Sequence, residues 1–340
     1  MTNLLIKAIE GATKIAISGH IRPDGDCVGS CVGLRQYVTE QYPQKQVDIY
    51  LQPIRPEFEF LTGAQTIKTI PDNEAVYDLF ICLDCGDTER LGDFSSMYEN
   101  AKKTFCVDHH ISNKGFADES VILADRSSTS EILCELLDIE KMSKACAEAF
   151  YMGIVHDTGV FKHQNTTKKV MYLAGDLLEK GVNQSKIIDD TFYKKTYIQN
   201  QILGRALLES ILIMDGKVVF SAIKQSWFRF YGITAADLDG IIDQLRITEG
   251  VEVAILIYET EPSLYKVSMR SNEYIDVAKI AEEFGGGGHV RAAGCSIHGS
   301  SYDVINNITL HIEKQMVKLE EEEKLKGDWN HFVNKKIKEK

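Results

Sequence analysis

The side chains able to bind metals or move protons are concentrated in a few short stretches. His20, Asp24 and Asp26 lie together in Gly19-His20-Ile21-Arg22-Pro23-Asp24-Gly25-Asp26, Asp84 follows Ile81-Cys82-Leu83, and Asp108, His109 and His110 are consecutive. A further stretch, Gly153-Ile154-Val155-His156-Asp157-Thr158-Gly159, adds Asp157. Carboxylates are hard oxygen donors and imidazoles are intermediate nitrogen donors; the mixture suits Mn2+, and Mg2+ or Zn2+ less clearly. A pair of ions about 3.5–4 Å apart needs a carboxylate common to both, and Asp84 is the natural bridge. Four aspartates balance two divalent ions in charge, so an incoming phosphate would need arginines or histidines close by. Taken singly, each stretch has a plainer reading: Pro23-Asp24-Gly25-Asp26, for instance, is rich in turn formers.

What joins the stretches is the order of elements between them. Apolar runs at 15–18, 79–83 and 104–107 read as strands, and they directly precede His20, Asp84 and Asp108. Further strands are predicted at 47–51 and 121–124, and helices at 28–40, 128–137, 143–155 and 167–180. Such alternation predicts an α/β domain with a parallel sheet and helices on both faces. Ligands of open parallel sheets bind outside the carboxyl ends of the strands. Three strand ends here deliver acids and imidazoles to that one edge, and Asp157 closes a helix. Beyond residue 189 the pattern changes. A polar then amphipathic connecting helix at 189–209 precedes runs at 211–214 and 218–223, which flank the hairpin signal Asp215-Gly216. A helix at 234–246, strands at 251–258 and 265–270 and a helix at 275–284 follow, and then four glycines. This half reads as a smaller α+β domain. The expected units are 1–190, a linker helix 191–210, a second domain 211–322 and a charged tail 323–340, without internal repeats.

The bulk properties narrow the partners. A net charge of −12 argues against a broad basic surface for long nucleic acid. No apolar run reaches membrane-spanning length, and residues 1–14 do not read as an export signal, so a cytoplasmic protein is expected. Eight scattered cysteines then read as reduced, buried thiols. The Cys82/Cys85 pair lacks the second pair that a zinc knuckle needs.

At this point the residues carry a resemblance. The His20/Asp24/Asp26 motif, Asp84, Asp108-His109-His110 and Asp157 resemble the four motifs of the DHH phosphoesterase superfamily. Independently, Val267-Ser268-Met269-Arg270-Ser271, Asp276-Val277-Ala278 and Gly285-Gly286-Gly287-Gly288-His289-Val290-Arg291-Ala292-Ala293-Gly294 resemble the DHH-associated C-terminal domain. The likeness runs over roughly residues 10–315. Pairing and length are similar to the nano-RNase A type of oligoribonuclease, members of which also remove the 3′-phosphate of 3′-phosphoadenosine 5′-phosphate.

The resemblance implies roles. His20, Asp24 and Asp84 would hold one divalent ion, and Asp26, Asp84, His109 and Asp157 the other. Asp108 would orient a histidine through a hydrogen bond. His110 would face the scissile phosphate and stabilise charge, and either it or a water would protonate the leaving oxygen. Ser268, Arg270, Gly286, Gly287, Gly288 and His289 would grip substrate phosphate. The glycines allow close backbone approach, and their consecutive amides could form an anion-binding nest. The run does not match the Gly-x-Gly-x-x-Gly of dinucleotide folds.

By the same resemblance, the active site lies in the cleft between the N-terminal DHH domain and the smaller domain. Water activated between two ions, Mn2+ ahead of Mg2+, would hydrolyse oligoribonucleotides of about 2–5 nucleotides to mononucleotides, and 3′-phosphoadenosine 5′-phosphate to AMP. Long duplexes and membranes are not expected partners; a homodimer through the N-terminal domain is suggested. Alternative substrates are linear or cyclic dinucleotide messengers such as pApA, pGpG and c-di-AMP. Family II pyrophosphatases share the N-terminal ligands but carry a basic motif where this chain has Gly-Gly-Gly-Gly-His, and RecJ-type exonucleases are longer. A catalytically inactive nucleotide sensor is the reading from another class, and the intact ligand set argues against it. Val160 and Lys162 depart from the Arg and apolar residue that some members carry. His156 reads as a packed or supporting imidazole, and His163 and His298 as surface or core residues.

Overall fold

The computed structural model describes residues 3–338, which divide into two compact units at Lys194/Lys195. In the first, strands β1 (Lys14–Ser18), β2 (Gln46–Tyr50), β3 (Ile67–Lys68), β4 (Leu79–Leu83), β5 (Thr104–Asp108) and β6 (Glu119–Ile122) form one parallel sheet in the order β3-β2-β1-β4-β5-β6. The chain builds outward from β1 to β3, then returns to the middle and builds the other way from β4. Such a reversal opens a crevice at the strand ends between β1 and β4.

The helices of this unit are α1 (Leu4–Gly11), α2 (Gly25–Gln41), α3 (Ser95–Glu99), α4 (Thr129–Leu136), α5 (Lys144–Asp157), α6 (Lys168–Glu179) and α7 (Gln184–Ile188). Because side chains alternate along a strand, Ile15 and Ile17 enter the larger core with Ile81, Val107 and most of these helices. Ala16, Phe80, Cys82, Cys85 and Cys106 enter a thinner layer under Tyr77, Phe94 and Met97. All eight cysteines are unpaired and buried. Helix starts follow capping chemistry: the side chains of Asp24, Ser128, Ser143 and Thr167 accept from the first free amides of α2, α4, α5 and α6.

The second unit contains α8 (Tyr197–Leu208), β7 (Ile211–Ile213), β8 (Val218–Ile223), α9 (Gln225–Tyr231), α10 (Ile241–Arg246), β9 (Val253–Glu261), β10 (Leu264–Ser271), α11 (Val277–Glu283), β11 (Gly287–His289), β12 (Ala292–His298) and α12 (Ser301–Lys338). Its sheet runs β11-β12-β10-β9-β8-β7, antiparallel except between β8 and β9. Asp215 and Gly216 take left-handed φ of 53° and 80° in the β7–β8 hairpin, as a tight turn there requires. Val253, Ile255, Val267 and Met269 pack with α11 and α12 on one face. Ala254 and Leu256 pack with α8, α9 and α10 on the other.

Three expectations are corrected. The 189–209 segment is not one helix: a wider π-type turn occupies Asp189–Tyr193, and α8 starts afresh where Thr196 and Gln199 form a capping box. The expected 234–246 helix is a short 3-10 turn, Ala235–Leu238, followed by α10, because Gly240 at φ 83° interrupts it. The glycine run is not an irregular nest. The amides of Gly285 and Gly286 donate to Glu282 and Ala281 at the end of α11, and residues 287–289 form edge strand β11. Helices α1, α3, α7 and α9, the two-residue β3 and strand β12 were not predicted. The expected solvated tail at 323–340 falls largely outside the residues whose side chains are described.

Candidate active site

The end of β1 delivers His20. Its Nδ1–H donates to the Ile21 carbonyl at 2.8 Å, which fixes the tautomer and leaves Nε2 facing Asp24 Oδ2 at 3.6 Å and Asp84 Oδ2 at 3.5 Å. Asp24 splits its duties. Oδ1 caps α2 by accepting from the amides of Asp26 and Cys27, both at 3.1 Å, and Oδ2 turns to His20. The tight start of α2 has a steric reason too: a Cβ on Gly25 would sit 2.1 Å from Cγ of His156. Asp26, in the first turn of α2, is fully buried.

Asp84, just past β4, is buried and sits at φ 53°, a left-handed conformation that aspartate tolerates better than most residues. Its two oxygens diverge: Oδ2 faces His20, and Oδ1 faces His109 Nε2 at 3.4 Å. From β5, His109 Nε2 also lies 3.1 Å from Asp157 Oδ2, at the end of α5. The ligand atoms of Asp26, His109 and Asp157 fall within 4.8 Å of one another, as do those of Asp84, His109 and His110. Asp108 is fully buried at the end of β5. It accepts from His110 Nδ1 and Asn113 Nδ2, both at 2.7 Å, and from the His109 amide at 2.8 Å. It therefore holds the ring of His110 and the backbone, not the ring, of His109.

Electrostatics show what the cage is built for. Burial opposes a charge on His20, but the carboxylates of Asp24 and Asp84 outweigh it and push its pKa up to about 12. Burial likewise opposes charging of His109, and Asp157 and Asp84 raise it to about 12. Burial pushes Asp84 upward, yet hydrogen bonds from His109 and His20 hold it well below the usual carboxylate range. Burial, with the charges of Asp84 and Asp157 behind it, raises Asp26 well above that range. Asp157 rises to about 6, chiefly through burial. Among the described residues no Lys or Arg pairs with Asp26, Asp84, Asp108 or Asp157; imidazoles approach the last three, and the Thr129 and Ser130 amides donate to Asp26. Buried carboxylates that crowd imidazole nitrogens and attract no cationic side chain form a donor set that fits divalent ions.

Several residues escaped the sequence reading. Asn113 braces Asp108, and Thr129 and Ser130 at the start of α4 donate to Asp26. The Ser-x-x-Glu capping pattern at 128–131 marked that helix start but not its partner. Cys27 Sγ lies within 4.8 Å of ligand atoms of His20 and Asp84, although it read as a structural thiol. Other candidates fall elsewhere. His156 is wedged between Phe58 and Phe192, its Nε2 3.0 Å from the Thr191 hydroxyl, and burial lowers its pKa to about 4. Arg126 is engaged by Glu135 and Asp125. His163 and His298 are exposed.

In the second unit, cross-strand register aligns the expected phosphate contacts. Arg270 on β10 and His289 on β11 both pair with Ala292 on β12, so the two lie in one row and on one face. Ser268, two residues before Arg270, pairs with Gly294, which pairs in turn with Gly287. Val267 and Met269 point the other way, into the core. Gly286 and Gly288 sit where β11 closes on β12: a Cβ on Gly286 would lie 2.2 Å from the Gly294 carbonyl oxygen.

Residues 14–154 match the DHH family, N-terminal domain, and residues 215–318 match the DHHA1 domain. The chain thus carries a DHH domain followed by a DHHA1 domain. It is 28% identical over 320 residues to the bifunctional oligoribonuclease and PAP phosphatase NrnA of Bacillus subtilis, covering 92% of this chain and 98% of that one. To the protein of the same name from Thermus thermophilus it is 27% identical over 306 residues, with 88% of each covered. The crystal structure of an exopolyphosphatase-related protein from Bacteroides fragilis superposes with a TM-score of 0.83 at 22% identity, over 93% of this chain and 96% of that one, a likeness of fold. DHH phosphoesterases depend on metal, and the cage at the ends of β1, β4 and β5 is where this chain gathers groups able to hold one. No helix of the described residues is long and apolar enough to cross a membrane.

Proposed function

We propose that the chain hydrolyses phosphate esters of very short oligoribonucleotides, releasing mononucleotides, and converts 3′-phosphoadenosine 5′-phosphate to AMP. The observation that carries this reading is the convergence of His20, Asp24, Asp26, Asp84, His109 and Asp157 at one sheet edge. It occurs in a chain that aligns nearly end to end with NrnA relatives. His20, Asp24 and Asp84 would hold one divalent ion, and Asp26, Asp84, His109 and Asp157 a second, with Mn2+ preferred over Mg2+. When bound, such a pair lowers the pKa of a water between them and neutralises charge gathering on the phosphoryl group.

The remaining work falls to the chain's own groups. Asp108 accepts the Nδ1 proton of His110, which leaves Nε2 as the nitrogen able to offer a proton to the leaving oxygen. That hydrogen bond is the largest reason the His110 pKa is raised, and it favours the charged, donating form. Asn113 keeps Asp108 from turning. Arg270 and His289, in one row of the second sheet, would bind a phosphate of the substrate with Ser268 beside them.

A screen with Mn2+ tests the reading, comparing a diribonucleotide, 3′-phosphoadenosine 5′-phosphate, c-di-AMP and pyrophosphate at equal concentration. The first two should turn over fastest. Preferred hydrolysis of c-di-AMP or pyrophosphate would overturn the substrate reading, and tight nucleotide binding without product would make the chain a sensor. Asp84→Ala should keep its circular dichroism spectrum and lose more than about 100-fold in turnover, beyond what a residue supporting a ligand normally costs.

A further inference from the structure

The start of α4 holds a side chain that the ligand set leaves unexplained. Thr129 is fully buried, and its two donors reach two different carboxylates. Its amide donates to Asp26 Oδ2 at 2.7 Å, and its hydroxyl donates to Asp84 Oδ1 at 3.3 Å. The Ser130 amide takes the other oxygen of Asp26 at 3.0 Å. The amide bonds have a folding reason, since the first amides of a helix lack partners within it. The hydroxyl bond has none: it caps nothing and joins no strand. A hydroxyl has a single proton to give, and this one is directed at a carboxylate whose two oxygens have separate duties. Asp84 Oδ2 faces His20 at 3.5 Å and Oδ1 faces His109 at 3.4 Å. A carboxylate free to rotate about its Cβ–Cγ bond would serve neither side well.

We propose that Thr129 is a positioning residue for the ion pair. Its hydroxyl sets the rotation of the Asp84 carboxylate while its amide sets that of Asp26, so one residue fixes the spacing between the carboxylate shared by both ions and one that belongs to the second ion alone. This rests on the reading that Asp26 and Asp84 hold divalent ions. Supporting hydrogen bonds of this kind typically change metal affinity by about 10–100-fold.

Calorimetric titration of the metal-free full-length protein with Mn2+, without substrate, tests it. Thr129→Val keeps the amide and the branched shape but deletes the hydroxyl. It should weaken Mn2+ binding by about 10-fold or more, while Thr129→Ser, which keeps the hydroxyl, should stay within about twofold of the parent. Asp84→Asn separates the two ideas. If it binds Mn2+ as tightly as the parent, the metal reading fails and this proposal with it. If it loses binding while Thr129→Val titrates like the parent, the positioning role is overturned and Thr129 merely packs. Should Thr129→Val fail to fold, Thr129→Ala takes its place with the same two outcomes.

Discussion

Asp84 stands at the centre of the first unit in a backbone conformation that costs a typical non-glycine residue about 1–3 kcal/mol. The left-handed turn aims its carboxylate between His20 and His109 instead of along the strand. His110 raises a different question at this scale, because its Nδ1 also lies 3.7 Å from Asp84 Oδ1. If its role is proton transfer, His110→Asn should lower kcat by about 10²–10⁴-fold and leave Mn2+ affinity unchanged by calorimetry. A parallel loss of affinity would make it a ligand instead. The acids and imidazoles that the structure gathers were legible in the sequence as candidates, because His, Asp-x-Asp and Asp-His-His at the ends of apolar runs suggest metal chemistry by residue type. Their supports were not. Asn113, Thr129 and Ser130 act through bonds to carboxylates 5, 103 and 104 residues away, and nothing in a serine or threonine states which carboxylate it will meet.

Among elements, those with a strong period or a good cap were readable. The strands at 79–83 and 104–107 and the helices opened by Ser128, Ser143 and Thr167 lie within a residue or two of expectation. Where local and global demands conflict, the reading failed. Residues 189–209 look continuously helical until the Thr196 cap restarts the chain, and four glycines look like an anion-binding nest until β12 offers a ladder. The strand assignment makes a graded prediction. Gly286→Ala would drive a methyl into the Gly294 carbonyl and should cost about 1–3 kcal/mol, read as a lower Tm. Gly287→Ala meets nothing within 4 Å and should cost less than about 1 kcal/mol. Equal losses at both positions would mean that β11 does not approach β12 so closely.

For the molecule as a whole, the cage belongs to one compact unit and the expected phosphate contacts to the other. Variants should therefore separate the two activities of binding. Arg270→Ala should raise KM by about 10–100-fold, the worth of a charge-assisted hydrogen bond, and leave the Mn2+ isotherm of the protein unchanged. A shifted isotherm would tie Arg270 to the metals. The two-domain plan was visible in the sequence as a change from alternating strands and helices to hairpins. The mixed sheet was not, because the parallel β8–β9 pairing joins segments 30 or more residues apart.

The burial of every thiol has a practical outcome. Seven of the eight cysteines lie in the first unit, and Cys295 alone lies in the second. An alkylating reagent can then reach sulfur only when a unit breathes open, and mass spectrometry would tell one added label from seven. The chain thus carries a built-in pair of clocks, with one timing the opening of each half.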